Sequence, residues 1–271
     1  MNVIVNGVTQ PYRYFSGEHD IAFVIAVDAY LLFKKHQHRP SVTPILSQLY
    51  NFPPQIRCCL PNLYCLGFIP GPNSVVDYPS FMVPLNEEGA QLAFGISMYN
   101  PIKKEFFNLQ AYGIQEHSDI IAMAKMMCMK SHNGFCPCRN CKITGVRNLS
   151  QSKTTYYVPL QTPRVSHQTR QLFDPHALPL HDKKHFDDVL EQLAMPMPKG
   201  KRHDLEVFHG IKQPAAIRHV ESMNPAKSNP WEWLHLFCEN NVKNQVLLWM
   251  GRFKGLDSGS ENYEIIMDKW K

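Results

Sequence analysis

The run at residues 118–141, SDIIAMAKMMCMKSHNGFCPCRNC, constrains this chain more than any other. It sets Asp119 at the head of a predicted helix and, beyond that helix, the C-x-x-C pair Cys138 and Cys141. A carboxylate is a hard ligand suited to Mg²⁺, whereas thiolates suit Zn²⁺. One short helix thus ties an acid able to hold a catalytic metal to thiols able to hold a structural one. Each feature also has an ordinary role. An Asp ahead of an apolar helix caps it by accepting from the amides of the first turn, and a buried Cys pair can be a plain dithiol. As half of a tetrahedral zinc site, Cys138 and Cys141 need partners from elsewhere. The histidines available are His235, the H-x-x-x-H pair His181 and His185, and His203 and His209.

The chain has 271 residues, 44% of them apolar, enough to bury a core. Its 28 Lys+Arg against 23 Asp+Glu leave +5, which permits a polyanionic partner without demanding one. No apolar run is long enough to span a membrane, and the N-terminus lacks the basic head and apolar stretch of a signal peptide. The eight cysteines are therefore expected as thiols or metal ligands in a reducing compartment.

Residues 20–33 read as a buried strand with Phe23, Ile25 and Val27 on one face and Asp28 at its end. Residues 34–39, KKHQHR, mark an exit to the surface. A Pro-rich connection at 51–72 holds a short strand over 63–69. A helix is predicted over 79–98, with Phe81, Leu85, Leu92 and Ile96 near one face, then a strand over 105–114. Apolar positions 120, 123, 124 and 127 give the next helix its spacing. Residues 142–229 are polar and rich in His, Pro, Lys and Gln, and read as an insertion, helical around 181–193. Asn229 and Pro230 predict the start of a long helix, with Leu234, Cys238, Val242, Val246 and Trp249 along one side and His235 and Glu239 one turn apart on the next row. The expected division is 1–141, 142–229 and 230–271.

Asp28, Asp119 and Glu239 stand out as carboxylates on separate elements. Two-metal phosphoryl transfer needs such a set, with two ions roughly 4 Å apart polarising the attacking and leaving oxygens. Singly, each is more commonly a turn, cap or surface residue.

The blocks FSGEHDIAFVIAVDAYLLFKK, NFPPQIRCCLPNLYCLGFIPGPNS, KKEFFNLQAYGI, KSHNGFCPCRNCKI, TTYYVPL and LHLFCENNVKNQVLLW, in this order, resemble the transposases of fungal CACTA-type (En/Spm-like) DNA transposons across nearly the whole chain. The resemblance implies an α/β fold with a ribonuclease-H-like core, a mixed sheet flanked by helices, carrying a largely helical insertion. It implies a DDE site of Asp28, Asp119 and Glu239 using Mg²⁺ or Mn²⁺. It also implies a structural Zn²⁺ on Cys138, Cys141 and His235, clamping the Asp119 helix to the Glu239 helix. The expected activity is cleavage and strand transfer on double-stranded DNA at transposon ends, in the nucleus, with no membrane partner and with homo-oligomerisation open. Lys34, Lys35, Arg39, Lys103, Lys104, Lys125 and Lys130 are candidate phosphate contacts. The sequence departs from the family pattern at Ser118, where Gly is usual, in the lack of the usual Pro after Asp119, and at Ala29. It also starts almost at the first catalytic strand and stops soon after Glu239. The expectation is a truncated, element-derived copy; the alternative is a catalytically silent, zinc-stabilised relic that binds DNA or protein.

Overall fold

A computed structural model describes residues 1–31, 41–71, 73, 75–147, 156–157, 172–218, 221, 223–250 and 252. The chain divides into two units, Met1–Pro230 and Trp231–Lys271.

The first unit opens with a hairpin of β1 (Asn2–Val5) and β2 (Val8–Arg13). Its two-residue turn is Asn6-Gly7, both at positive φ, the pair that such a tight turn selects. Next come β3 (Ile21–Val27), β4 (Tyr30–Leu31), β5 (Ser41–Leu49), α1 (Pro54–Arg57), a 3₁₀ turn and β6 (Leu63–Pro70). Helices α2 (Tyr78–Phe81) and α3 (Val83–Phe94) lead to a second hairpin, β7 (Ile96–Asn100) and β8 (Glu105–Leu109). Strand β9 (Ala111–His117) and helix α4 (Ile120–Met126) follow. The remaining elements are β10 (Val146–Arg147), β11 (Tyr156–Tyr157), α5 (Lys183–Ala194) and α6 (Lys199–His209).

The main sheet is mixed and built around β3. On one edge β3 runs antiparallel to β5, whose far edge pairs antiparallel with β6. On the other edge β3 runs parallel to β9, from Ile21↔Ala111 to Ala26↔His117. Strand β4 resumes the β3 register on β5 with Tyr30↔Val42. The interruption at Asp28 and Ala29 falls opposite Thr43 and Pro44, and Pro44 has no N–H to give a ladder. The core gathers Phe23, Ile25 and Val27 of β3, Tyr112 of β9, Met123 and Met126 of α4, and Phe186, Val189 and Leu193 of α5. Each such side chain contributes about 1.5–3 kcal/mol by leaving water.

Local readings of the sequence hold at several elements and fail at others for identifiable reasons. β6 and α5 lie where the pattern puts them, whereas the strand expected over 20–33 is broken at Asp28 and Ala29, with β3 ending at Val27 and β4 resuming at Tyr30. The helix expected over 79–98 stops at Phe94, because Gly95 at φ 103° ends it and Ile96 starts β7. The strand expected over 105–114 is two strands in different sheets, broken at Gln110. On α4 the buried face is Ala122, Met123 and Met126, while Ile120 and Ile121 stand exposed.

The second unit holds a π-helix, Leu234–Val242, continuing into α7 (Lys243–Trp249). Its first amides are held by Glu232, whose carboxylate accepts from Leu234 N at 2.9 Å and His235 N at 2.7 Å. Asn229, the expected cap, instead stands buried in the first unit and donates to the Pro225 carbonyl at 3.1 Å.

Glu116 on β9 is 2% exposed, and its Oε2 finds no hydrogen-bond partner among the described residues. Burial pushes its carboxyl up to about 8. The folded state therefore keeps a proton that the unfolded chain releases above the ordinary Glu range. Stability is full below about pH 4.5 and falls as pH rises toward 8, by a few kcal/mol in all. Urea unfolding of the wild type across pH 5–8 is expected to show that decline, and Glu116→Gln is expected to flatten it.

Candidate active site

The two strand ends that matter lie side by side. Because β3 and β9 are parallel neighbours, the residues just past their C-terminal ends, Asp28 and Asp119, come out at the same sheet edge. Both line one cleft of about 270 Å³, together with Ser41, Thr43, Tyr78, Ile121 and Lys125 among others. Clefts beyond the carboxyl ends of parallel strands are common places for ligands in α/β sheets.

Each acid is set by a local device. Asp119 is the N-cap of α4, and its Oδ1 accepts from Ala122 N at 2.6 Å. Capping fixes the carboxylate's direction, so the ordinary role of this residue also orients it toward the cleft. Asp28 occupies the break between β3 and β4, where the chain leaves the ladder. The strand ends are joined by Ser118, which is buried and donates from Oγ to the Val27 carbonyl at 2.6 Å. One hydrogen bond thus links the residue before Asp119 to the residue before Asp28.

Tyr78 is the site residue that sequence reasoning missed. It is 3% exposed and begins α2, whose N-cap Asp77 accepts from Ser80 N. Its hydroxyl is raised above the ordinary phenol range by burial, then by the charges of Asp119 and Asp28, against a hydrogen bond with Thr43. Tyr78 is therefore a neutral phenol at neutral pH, within electrostatic reach of both carboxylates. The D-Y-P-S start of α2 was the available signal, since Asp followed by Pro in the next turn marks a helix N-terminus.

Of the expected phosphate contacts, Lys125 lines the cleft. Lys103 and Lys130 are committed to ion pairs, with Glu18 at 3.1 Å and Glu206 at 3.3 Å. Lys34, Lys35 and Arg39 lie outside the described residues.

The thiol pair forms a separate centre. Cys138 and Cys141 stand with Sγ atoms 3.0 Å apart, and Cys141 N donates to Cys138 Sγ at 3.4 Å. The Cys141 thiol hydrogen bond, helped by the Asn140 and Cys141 amides, holds Cys138 down to about 6, while Cys141 is pushed up as the proton-bearing partner. Arg139 between them is buried and donates to the carbonyls of Asn229, at 2.9 Å, and Pro230. Among the described residues, no three His, Cys, Asp or Glu side chains stand gathered as a metal-ligand set. What fits divalent ions at the cleft is the donor chemistry of the two carboxylates; what fits zinc at the second centre is the paired thiols.

Glu239 and His235 lie on the π-helix of the second unit. His235 Nδ1 contacts Glu232 Oε2 at 2.5 Å, and its Nε2 lies 3.9 Å from Glu239 Oε2.

Ser118→Ala is expected to lower stability by about 1–2 kcal/mol, because it leaves the Val27 carbonyl without its donor. The shift of the urea midpoint at constant slope measures this.

A family model described as transposase family tnp2 matches residues 7–197. The match covers β2 to α5 with Asp28, Asp119, Cys138 and Cys141, and stops before His235 and Glu239. No curated protein matches the chain.

Proposed function

This chain belongs to the transposase family tnp2, and on that premise we propose that its acidic cleft cleaves DNA and joins strands by two-metal phosphoryl transfer. The observation that carries this reading is the pairing of Asp28 and Asp119 at the ends of adjacent parallel strands on one cleft. The strand order β6-β5-β3-β9, with only β3 and β9 parallel, supports a ribonuclease-H-like core as its frame. Within the family, the blocks around IPGP, CPCRNC and LHLFCEN favour a CACTA-type element. The substrate is then double-stranded DNA at transposon ends, and the place of action the nucleus.

Asp28 and Asp119 would hold Mg²⁺ or Mn²⁺, with Glu239 as the third acid that the resemblance assigns. The bound ions supply polarisation of the attacking and leaving oxygens. Water attacks phosphorus, a P–O bond forms, and the bond to the 3′ oxygen breaks, leaving a 3′-hydroxyl and a 5′-phosphate. That hydroxyl then attacks a second phosphodiester, one P–O bond replacing another. The protein's own part is positional. The cap on α4 aims Asp119, the Ser118 bond keeps Asp119 level with Asp28, and Tyr78 offers a neutral O–H donor beside the acids. Lys125 gives the cleft a cation to meet a phosphate. At the second centre, Cys138 and Cys141 are the thiols for a structural zinc.

Purified protein with a labelled duplex and Mg²⁺ or Mn²⁺ is expected to nick and to transfer strands. Asp28→Asn, Asp119→Asn and Glu239→Gln are each expected to reduce that by about 10³-fold or more, since a lost metal ligand removes several kcal/mol of transition-state stabilisation. Asn caps helices about as well as Asp, so Asp119→Asn is expected to keep its unfolding midpoint. Absence of metal-dependent nicking in the wild type, or an unchanged rate in Asp119→Asn, defeats the enzyme reading.

A further inference from the structure

We propose that Cys138, Cys141, His181 and His185 form a four-ligand zinc site contained in the first unit. The inference takes the structural zinc of the preceding reading as its premise and names the histidines that complete it.

The fold brings two distant segments together at this point. His181 N donates to the Asn140 carbonyl at 2.9 Å, and a bridge pairs Cys141 with Leu180. The peptide entering α5 is therefore laid along the C-x-x-C loop. Asn140 Nδ2 and Arg139 tie the other side of that loop to the carbonyls of Ala226, Asn229 and Pro230. Asp182 caps α5 by accepting from His185 N at 2.7 Å, which fixes the first turn carrying His185, with His181 immediately before the cap.

His181 is the telling residue. It is 4% exposed, and its ring nitrogens meet no partner at full hydrogen-bond geometry among the described residues, the ring instead interacting with the Cys138 backbone. A buried imidazole so weakly partnered calls for an explanation, an ion among them. Its ring lies near the Cys138 carbonyl and stacks on the His185 ring with centroids 4.9 Å apart. The two rings thus meet across the helix cap, His181 from the entering segment of chain and His185 from the first turn. The order C-x₂-C followed by H-x₃-H also lies within the spacing of structural Cys₂His₂ zinc sites. The four groups are not gathered as a closed set, so metal capture requires the two imidazoles to turn toward the thiols on a backbone already in place. His235, the histidine given by the family resemblance, is engaged by Glu232 within the second unit.

The full chain, purified reduced and loaded with Zn²⁺, tests this without DNA or Mg²⁺. About one zinc per chain is expected, with X-ray absorption showing two sulfurs at about 2.3 Å and two imidazole nitrogens at about 2.0–2.1 Å. His181→Ala and His185→Ala are each expected to weaken zinc binding at least 100-fold, and His235→Gln and Cys136→Ser to leave it unchanged. The wild-type spectrum stands even where a variant misfolds. Zinc held by three sulfurs, zinc retained in the His181→Ala, His185→Ala double variant, or zinc lost in His235→Gln overturns the assignment while keeping the zinc premise. A folded chain that takes up no zinc overturns both, and leaves the nicking assay to judge the catalytic cleft separately.

Discussion

The parallel pairing of β3 with β9 is the constraint from which the rest follows. Antiparallel neighbours would send their C-terminal ends to opposite edges of the sheet, separating Asp28 from Asp119 by a strand length. A parallel pair needs a long crossover. Here the chain between the two strands supplies β5, β6, α2, α3 and the β7–β8 hairpin. That crossover also delivers Tyr78 to the cleft, because α2 starts where β6 has carried the chain back toward the same edge. The register from Ile21↔Ala111 to Ala26↔His117 then sets the two acids level to within a residue or two.

Helix α4 couples this edge to the thiol centre. Asp119 caps one end, Met123 and Met126 anchor the middle in the core, and the chain leaves the other end through Cys128, at φ 52°, toward the C-x-x-C loop. That exit is held by a short ladder to the segment after α6: Lys130 N donates to the Gly210 carbonyl, Lys212 N to the Cys128 carbonyl, and Ala216 N to the Met126 carbonyl. Gly210 is indispensable there. It ends α6 at φ 73°, and a Cβ on it would lie 2.1 Å from the Cys136 carbonyl oxygen, so no other residue fits without moving the loop. The acid and the thiols are thus built on one continuous, multiply anchored segment.

Much of this was legible in the sequence, and the limits are instructive. Apolar periodicity found β3 and α5 because each is patterned against one core. It also singled out Asp28 and Asp119 as acids at element ends, where the structure puts them. It misjudged 105–114, since EFFNL and AYGI are equally strand-like and only tertiary pairing shows that they enter different sheets. On α4 its expected apolar positions held at Met123 and Met127, which are buried, and failed at Ile120, which is exposed. Asn229 and Pro230 carry a fair helix-start signal, but the burial of Asn229 and the Glu232 carboxylate override it. Tyr78 and the link from Ser118 to Val27 were beyond any local pattern, because both act across a sheet edge between residues distant in sequence.

Ser118 shows why a departure from a family pattern must be judged in three dimensions. Taken as sequence, a Ser where Gly is usual suggests a shifted backbone and a weakened site. In the fold its hydroxyl gives the Val27 carbonyl a donor at the point where β3 stops pairing. A glycine there would leave that carbonyl to solvent or to a rearranged turn. The added hydroxyl offsets the constraint that a side chain places on the turn, and it couples the backbone of one acid directly to that of the other. The Ser118 bond therefore bears on how rigidly the two carboxylates are spaced, on which the proposed two-metal reading rests.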